Sequence, residues 1–356
     1  MAYISFQPND YFSTLLYTGD GSGSNRSLTG VGFQPDWVWN KSRSNAYNHY
    51  LFDSPRGAGK RIGSNSTAAE DDKSAEFISF DSDGFTVNNN GSSLAINASG
   101  VTFANWCWKG GTTSGISGGD ITPSSYSFST VSGFSVVKYT GNGSSGATVP
   151  HGLGSTPKMV MCKGLGDSYG WKVWHTDLAS GKTLNLHNSN AEDTDSNYIS
   201  AASSTNFTTT GTYSVNESGS NYVAYCFAEK AGFSSIGKYI GTGSATSCPF
   251  IYTGFKPAFV VVKLISGADN WMAFTNKIGS STDSTSGFNI RNRLLELNGS
   301  GAEQSAGSGH GLDFYANGFK VIEDNVNMNG SGSTYIYFAF AEESLVSSNG
   351  VPAIAE

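Results

Sequence analysis

The stretch Pro157-Lys158-Met159-Val160-Met161-Cys162-Lys163 decides the fold, because an almost continuous apolar run of this length predicts a strand buried on both faces. The same block occurs twice more, as residues 35–41 and as residues 257–263, and each copy begins with Pro and ends with Lys. A block that recurs at long intervals indicates an internal repeat. The sequence therefore predicts three copies of one β-rich unit.

Other motifs recur in the same order around this block. A Tyr-x-Gly-x-Gly motif begins at Tyr17, Tyr139 and Tyr239. Each copy of the repeat ends with a run of aromatic residues that predicts a strand. Each unit is long enough to form its own core, so the pattern favours tandem domains over a thin solenoid. We predict a first repeat with an N-terminal segment (1–110), a Gly/Ser/Thr-rich linker (111–127), a second repeat (128–231), a third repeat (232–345) and a C-terminal tail (346–356).

Two alternating runs predict how individual strands are buried. In the run Tyr335–Phe340, the side chains of residues 335, 337 and 339 point away from those of residues 336, 338 and 340. The run Trp171-Lys172-Val173-Trp174-His175 alternates apolar and polar residues, which predicts a strand with one face in solvent.

The composition independently predicts an all-β protein. Gly accounts for 45 of 356 residues, charged residues for 14% and aromatic residues for 13%. Aromatic and β-branched residues diluted by Gly, Ser, Thr and Asn are typical of short strands joined by turns. We therefore predict a β-sandwich or jelly roll for each repeat. The aromatic content excludes a disordered chain, and the net charge of −7 argues against nucleic-acid binding.

No residue pattern predicts a metal, a cofactor or membrane insertion. The four cysteines are widely spaced, which favours buried free thiols in a reducing compartment. None of the five histidines stands at metal-ligand spacing. Residues 81–84, Asp-Ser-Asp-Gly, favour a tight turn over a calcium loop because the later loop ligands are missing. The N-terminus shows no secretion signal, and the longest apolar run, residues 335–341, is too short to span a bilayer.

The most distinctive local segment, residues 47–61, gathers three cations beside aromatic residues in a chain that has few cations. One interpretation is a patch that grips acidic sugars or phosphates, with aromatic faces stacking on sugar rings. The other is a Gly-rich hairpin whose cations pair with the acids at positions 53 and 70–72. The candidate glycan- or anion-contacting residues are Tyr47, His49, Arg56, Lys60 and Arg61.

Residues 32–43, Gly-Phe-Gln-Pro-Asp-Trp-Val-Trp-Asn-Lys-Ser-Arg, resemble the signature of an uncharacterised repeat domain. The matching residues continue through 47–49, 52–57, 81–85 and the motif Trp106-Cys107-Trp108-Lys109. That domain occurs in tail-fibre and other virion proteins of marine bacteriophages, including cyanophages. The resemblance implies a virion component of the tail without catalytic residues, assembled in the host cytoplasm. The second and third repeats keep only part of this pattern, so the resemblance does not imply a ligand site that all three repeats share.

The leading hypothesis is a non-enzymatic tail fibre or tail-associated adhesin that contributes to host-surface attachment. Its expected partners are other virion proteins and a host surface glycan, and analogy with phage fibres suggests a homo-oligomer such as a trimer. The alternatives are a capsid decoration or head-fibre protein, a carbohydrate-binding module, and a tailspike that cuts host polysaccharide. Cleavage would require two carboxylates across a cleft, for which Asp71-Asp72 and Glu342-Glu343 are the paired acids.

Overall fold

The protein is built almost entirely of short antiparallel strands, which confirms the predicted all-β fold. The described residues contain a 3₁₀ turn at Pro8–Asp10 and a four-residue helix α1 at Val326–Asn329. The structure is a computed structural model, and it describes residues 7–89, 96–166, 168–211, 213–278, 290–291, 293–305, 311–322 and 324–343.

The first segment, residues 7–110, contains nine strands among its described residues. They are β1 (Phe12–Thr18), β2 (Arg26–Thr29), β3 (Trp37–Ser42), β4 (Tyr50–Asp53), β5 (Lys60–Arg61), β6 (Asp71–Asp72), β7 (Phe77–Asp81), β8 (Gly84–Val87) and β9 (Thr102–Trp108). The strand order is β1-β9-β3-β4 in the sheet that we call inner and β2-β8-β7 in the sheet that we call outer, with a separate ribbon β5-β6.

The second segment, residues 111–231, also has an inner sheet, an outer sheet and a ribbon. Its strands are β10 (Ser125–Ser129), β11 (Phe134–Thr140), β12 (Thr148–Pro150), β13 (Met159–Gly164), β14 (Lys172–His175), β15 (Lys182–Thr183), β16 (Asp193–Thr194), β17 (Ile199–Ala202), β18 (Asn206–Thr209) and β19 (Asn221–Phe227). The inner sheet has the order β10-β11-β19-β13-β14, the outer sheet β12-β18-β17 and the ribbon β15-β16.

The third segment, residues 232–343, also has an inner and an outer sheet. Its strands are β20 (Ser234–Ile240), β21 (Phe250–Tyr252), β22 (Phe259–Leu264), β23 (Met272–Thr275), β24 (Ile290–Arg291), β25 (Arg293–Glu296), β26 (Gln304–Ser305), β27 (Leu312–Tyr315), β28 (Gly318–Val321) and β29 (Thr334–Phe340). The inner sheet has the order β20-β29-β22-β23-β25-β26 and the outer sheet β21-β28-β27-β24.

Each segment is sandwich-like, with a local apolar cluster between its inner and outer sheets. The strand pairs formed by the described residues all join two strands of the same segment. Residues 111–127, predicted as a linker, pack against the second segment: Asp120 bonds Thr148, Ile121 is buried, and residues 125–127 lie in β10. The threefold repeat and its domain boundaries stay predictions from the sequence.

A fourth apolar cluster lies where the three inner sheets meet, and all three segments contribute to it. The ring of Trp37 stacks at 4.4 Å on Trp108 of its own segment and at 4.4 Å on Tyr225 of the second segment. Phe12 of the first segment stacks at 5.4 Å on Phe340 of the third segment. Burial of large aromatic side chains dominates core energetics, so this central cluster couples the stability of the segments.

The inner strands are therefore covered on both faces. In β29 the side chains of residues 336, 338 and 340 enter the central cluster and those of residues 335, 337 and 339 enter the local one, as the alternation predicts. The predicted burial of residues 157–163 on both faces is confirmed in β13. The predicted solvent face of residues 171–175 is wrong, because on that face Lys172 is buried and Trp174 is half-buried. The central cluster covers one side of this sheet and the outer sheet covers the other.

Three buried lysines bridge the segments in cyclic order. The ammonium groups of Lys41, Lys163 and Lys263 each donate to the carbonyl of the next residue along the chain. Each also donates to a carbonyl of another segment, at distances of 3.1 to 3.2 Å; the acceptors are Ser300, Thr67 and Ser189, respectively. The first segment thus contacts the third, the second contacts the first and the third contacts the second. Head-to-tail contacts of this kind close into a ring.

We expect the stability of the fold to rise with pH in the range in which Lys41 and Lys263 lose their charge, since burial lowers the pKa of both. Burial lowers the pKa of Lys41 from 10.5 to about 8. Between those values the unfolded chain binds the extra proton, so this lysine contributes a slope of about 1.4 kcal/mol per pH unit. Lys41→Met should therefore show a shallower increase in unfolding free energy between pH 8 and pH 10, measured by denaturant titration. Parallel pH curves for the variant and the wild type would contradict this.

Candidate functional site

The structure divides the predicted cationic segment into buried and exposed parts. His49 is fully buried: its Nδ1 accepts a hydrogen bond from Trp39 Nε1 at 2.8 Å, and its Nε2 lies 3.0 Å from the carbonyl oxygen of Glu296. Burial holds the pKa of His49 well below its ordinary value. The imidazole is thus a neutral connector between the first and third segments.

Arg56 is buried at the junction of the first and second segments. Its guanidinium lies 2.5 Å from the carboxylate of Asp53 and 3.1 Å from that of Glu70, and it donates to the carbonyl of Leu51 at 2.9 Å. Tyr225 of the second segment donates its hydroxyl to the same Asp53 carboxylate at 2.6 Å. The arginine therefore holds two segments together.

The other candidates of this segment are partly exposed. Lys60 pairs with Asp72 at 2.9 Å, and Arg61 pairs with Asp71 at 2.5 Å, across the ribbon β5-β6. Arg61 also covers the ring of Tyr50 at 4.2 Å, while Tyr47 is half-buried. The structure thus brings Lys60 and Arg61 together but separates them from the buried His49 and Arg56. The predicted contact with a glycan or anion remains a prediction for the surface residues.

The remaining polar motifs serve the fold. Asp81 and Gly84 pair across the turn that joins β7 to β8, and the Asp83 carboxylate accepts N–H groups from Gly30 and Gly32. The predicted free thiols are confirmed as buried at Cys107, Cys162 and Cys226, whereas Cys248 is half-buried. Within the described ranges there is no group of three or more His, Cys, Asp or Glu side chains suited to hold a metal ion.

The outer sheet of the third segment presents aromatic side chains to solvent. Phe250 and Tyr252, both on β21, are 47% and 68% exposed. The ring of Phe250 meets that of Tyr315 on β27 edge to face at 5.6 Å. Gly318 on β28 lies between these two strands and carries no side chain, and an added Cβ there would stand 3.0 Å from Phe250 Cζ. The rings therefore form an open platform.

Polar groups stand beside this platform. Lys320 on β28 pairs with Phe250 on one side and with Asp313 on the other, so the three side chains share one face of the sheet. The hydroxyl of Tyr315 donates to the carboxylate of Asp313 at 3.4 Å, and burial and that carboxylate raise the pKa of Tyr315. We call the set Phe250, Tyr252, Asp313, Tyr315 and Lys320 the aromatic face.

The outer sheets of the other segments carry small hydroxyl side chains at the matching register. Ser27 of β2 and Thr86 of β8 lie opposite each other, with their hydroxyl oxygens 3.0 Å apart. Thr148 of β12 pairs with Thr208 of β18 in the second segment. These pairs correspond in register to Phe250 and Lys320. The aromatic face is therefore specific to the third segment.

The aromatic face can hold a sugar by ordinary chemistry. Aromatic rings take up the apolar C–H face of a pyranose, and flanking charged groups hydrogen-bond its hydroxyls. Sequence reasoning missed these residues because Phe250-Ile251-Tyr252 is apolar throughout and shows no apolar/polar alternation. Only the structure shows that Ile251 is buried between two exposed rings.

The described part of the chain contains no helix long and apolar enough to cross a membrane. No curated protein and no solved structure matches this chain. The family described as a domain of unknown function, DUF7483, matches residues 7–344, which include all three segments together. The chain therefore belongs to the DUF7483 family.

Proposed function

We propose that this protein is a non-enzymatic structural and adhesive component of a bacteriophage virion, a tail fibre or tail-associated protein, that binds host-surface glycans. The observation that carries the adhesive role is the aromatic face of the third segment. Two exposed rings on one strand, with Lys320 and Asp313 beside them, suit sugar recognition better than any other described surface that we find. The virion role rests on the resemblance of residues 32–43 and the motifs that follow them.

The scaffold supports this role because it holds the aromatic face rigidly. The face lies on paired strands, whose local cluster includes Phe319 and Leu312, both fully buried. A binding surface on strands keeps its geometry better than one on a mobile loop, which lowers the entropic cost of binding. The shared central cluster then ties this segment to the other two.

The glycan-binding role predicts a loss of affinity when the rings are removed. The double variant Phe250→Ser/Tyr252→Ser should lose about 2 kcal/mol of binding free energy from two lost stacking contacts. That loss is roughly a 30-fold decrease in affinity for bacterial lipopolysaccharides and capsular polysaccharides on an array. Val131→Ser is the matched control, because Val131 is also an exposed apolar side chain, 40% exposed, but lies in the turn between β10 and β11. Equal binding by the double variant and the control would contradict glycan recognition at this face.

The virion role has a separate test. Immunogold electron microscopy of intact phage particles, with antibody against this chain, should label the distal tail. Label on the capsid would indicate a decoration or head-fibre protein instead. Particles without label would contradict the virion role and leave a carbohydrate-binding module outside the particle as the function.

A further inference from the structure

Each junction between segments contains a glutamate at an equivalent backbone position. The N–H of Glu70 donates to the carbonyl of Leu165, that of Glu192 to Ile265 and that of Glu303 to Arg43, at 2.8, 3.0 and 2.6 Å. Every donor belongs to one segment and every acceptor to the next. The three acceptors stand two residues after the buried lysines at positions 163, 263 and 41. The three glutamates can therefore be compared directly.

At two junctions an arginine forms an ion pair with the glutamate. Arg56, which belongs to the same segment as Glu70, pairs with it at 3.1 Å. Arg43, which belongs to the neighbouring segment, pairs with Glu303 at 2.5 Å. The arginine therefore occupies one of two positions. Arg56 lies in the turn that follows β4, the edge strand of the inner sheet, and Arg43 lies two residues after the buried Lys41. In both positions the guanidinium pairs with the glutamate carboxylate.

At the third junction both of these positions are apolar. Leu178 takes the place of Arg56, three residues after β14 ends, and Ile265 takes the place of Arg43. Both residues border an open cleft of about 460 Å³, together with Glu192; Leu178 is half-buried, whereas the side chain of Ile265 packs into the central cluster. Among the described residues no Lys or Arg lies within ion-pair distance of Glu192, whose carboxylate accepts one long hydrogen bond, 3.5 Å from the N–H of Ala179.

The charges of the cleft fit a cation with one positive charge. Its lining contains the carboxylates of Asp177 and Glu192 and the ammonium of Lys238. Lys238 lies 3.3 Å from Asp177, so the charges of these two side chains neutralise each other. The negative charge of Glu192 is then left for a bound cation. The apolar side chain of Leu178, which is half-buried, suits the aliphatic stem or the flat face of a guanidinium.

We propose that this cleft binds a guanidinium group, which takes the place that arginine fills at the other two junctions. The rim favours an arginine side chain carried by a peptide. Ile240 pairs with Thr334 of the cleft lining, so both side chains lie on the same face, and Ile240 is 61% exposed. A peptide with an apolar residue beside its arginine would cover Ile240 as well. This inference does not depend on the aromatic face.

The test is a calorimetric titration of the full chain with N-acetyl-argininamide and with N-acetyl-citrullinamide, its neutral isostere. The arginine compound should bind about tenfold more tightly, because only its guanidinium is charged. Glu192→Gln should remove this preference, whereas Asp193→Asn, an exposed neighbour outside the cleft, should keep it. Equal binding of the two compounds to the wild type, or an unchanged preference in Glu192→Gln, would overturn the proposal.

A second variant tests the same site through the protein itself. Leu178→Arg places an arginine where Arg56 stands at the first junction, so it should raise the midpoint of thermal unfolding and abolish binding of the arginine compound. A folded Leu178→Arg protein that still binds the compound as the wild type does would overturn the proposal.

A third titration identifies the source of the guanidinium. An acetylated Ile-Arg amide that binds more tightly than ethylguanidine, with the difference lost in Ile240→Ser, supports a peptide partner. Equal binding of the two compounds would overturn the peptide assignment and support a small guanidino compound in the same cleft.

Discussion

Arg56→Met should destabilise the chain by about 4 kcal/mol, because it removes one partner of a buried ion pair and leaves the other charge without it. The side chains of Arg56 and Asp53 are both 0% exposed, so water cannot replace the lost contact. Burial by itself lowers the pKa of Arg56, but the nearby Asp53, Tyr225 and Glu70 raise it overall, so the guanidinium stays charged. Denaturant unfolding followed by circular dichroism measures the loss.

Lys60→Met is the matched control for this prediction. Lys60 also pairs with a carboxylate, that of Asp72, but the two side chains are 39% and 55% exposed. Exposed ion pairs contribute little, so we expect almost no change in the free energy of unfolding. The double variant Arg56→Met/Asp53→Asn should recover part of the stability lost in Arg56→Met, since it no longer buries an unpaired carboxylate. Similar losses in Arg56→Met and Lys60→Met would contradict the role of Arg56 at the junction.

Trp37→Ala should cost about 4 kcal/mol, the range expected for truncating a buried Trp. Trp37 is fully buried and contacts Trp108, Phe134 and Tyr225, so the cavity would open between two segments. We therefore expect the unfolding transition of the first segment to separate from that of the rest. Calorimetry measures this as two transitions in the variant and one in the wild type.

Phe250→Ala provides the comparison for Trp37→Ala. It also removes an aromatic ring, but from a side chain that is 47% exposed on the aromatic face. Its stability should change by less than about 1 kcal/mol, because much of that ring is already in water. A single transition in Trp37→Ala, with a stability near that of Phe250→Ala, would contradict the role of Trp37 in coupling the segments.

The sequence predicts the all-β fold correctly because the relevant signals are local. Alternation in residues 335–340 and the continuous apolar run of residues 157–163 each specify which faces of one strand are buried. The run of residues 171–175 carries a similar local signal, but the burial of its polar face depends on residues outside the run. Lys172 is buried because it bonds Asn185 and pairs with Asp195, and neither contact is visible in the alternation.

The cationic segment, residues 47–61, shows that local sequence also fails to predict which candidate site residues are buried. Local sequence places three cations beside aromatic residues, but it does not tell a surface patch from a junction. Arg56 is buried because Tyr225, far along the chain, shares its Asp53 partner. Lys60 and Arg61 remain at the surface because their partners lie on the facing strand of an exposed ribbon.

The sequence by itself determined the strands, the recurrence of their motifs and the burial of three cysteines, because each follows from residue type and spacing along the chain. Only the tertiary structure decided that the inner sheets share one core, that the rings of Phe250 and Tyr252 face solvent, and that Glu192 lines an open cleft. These features arise where segments meet or where a sheet is left uncovered. They depend on contacts between residues far apart in the chain, and no local pattern encodes which of two faces a distant segment will cover.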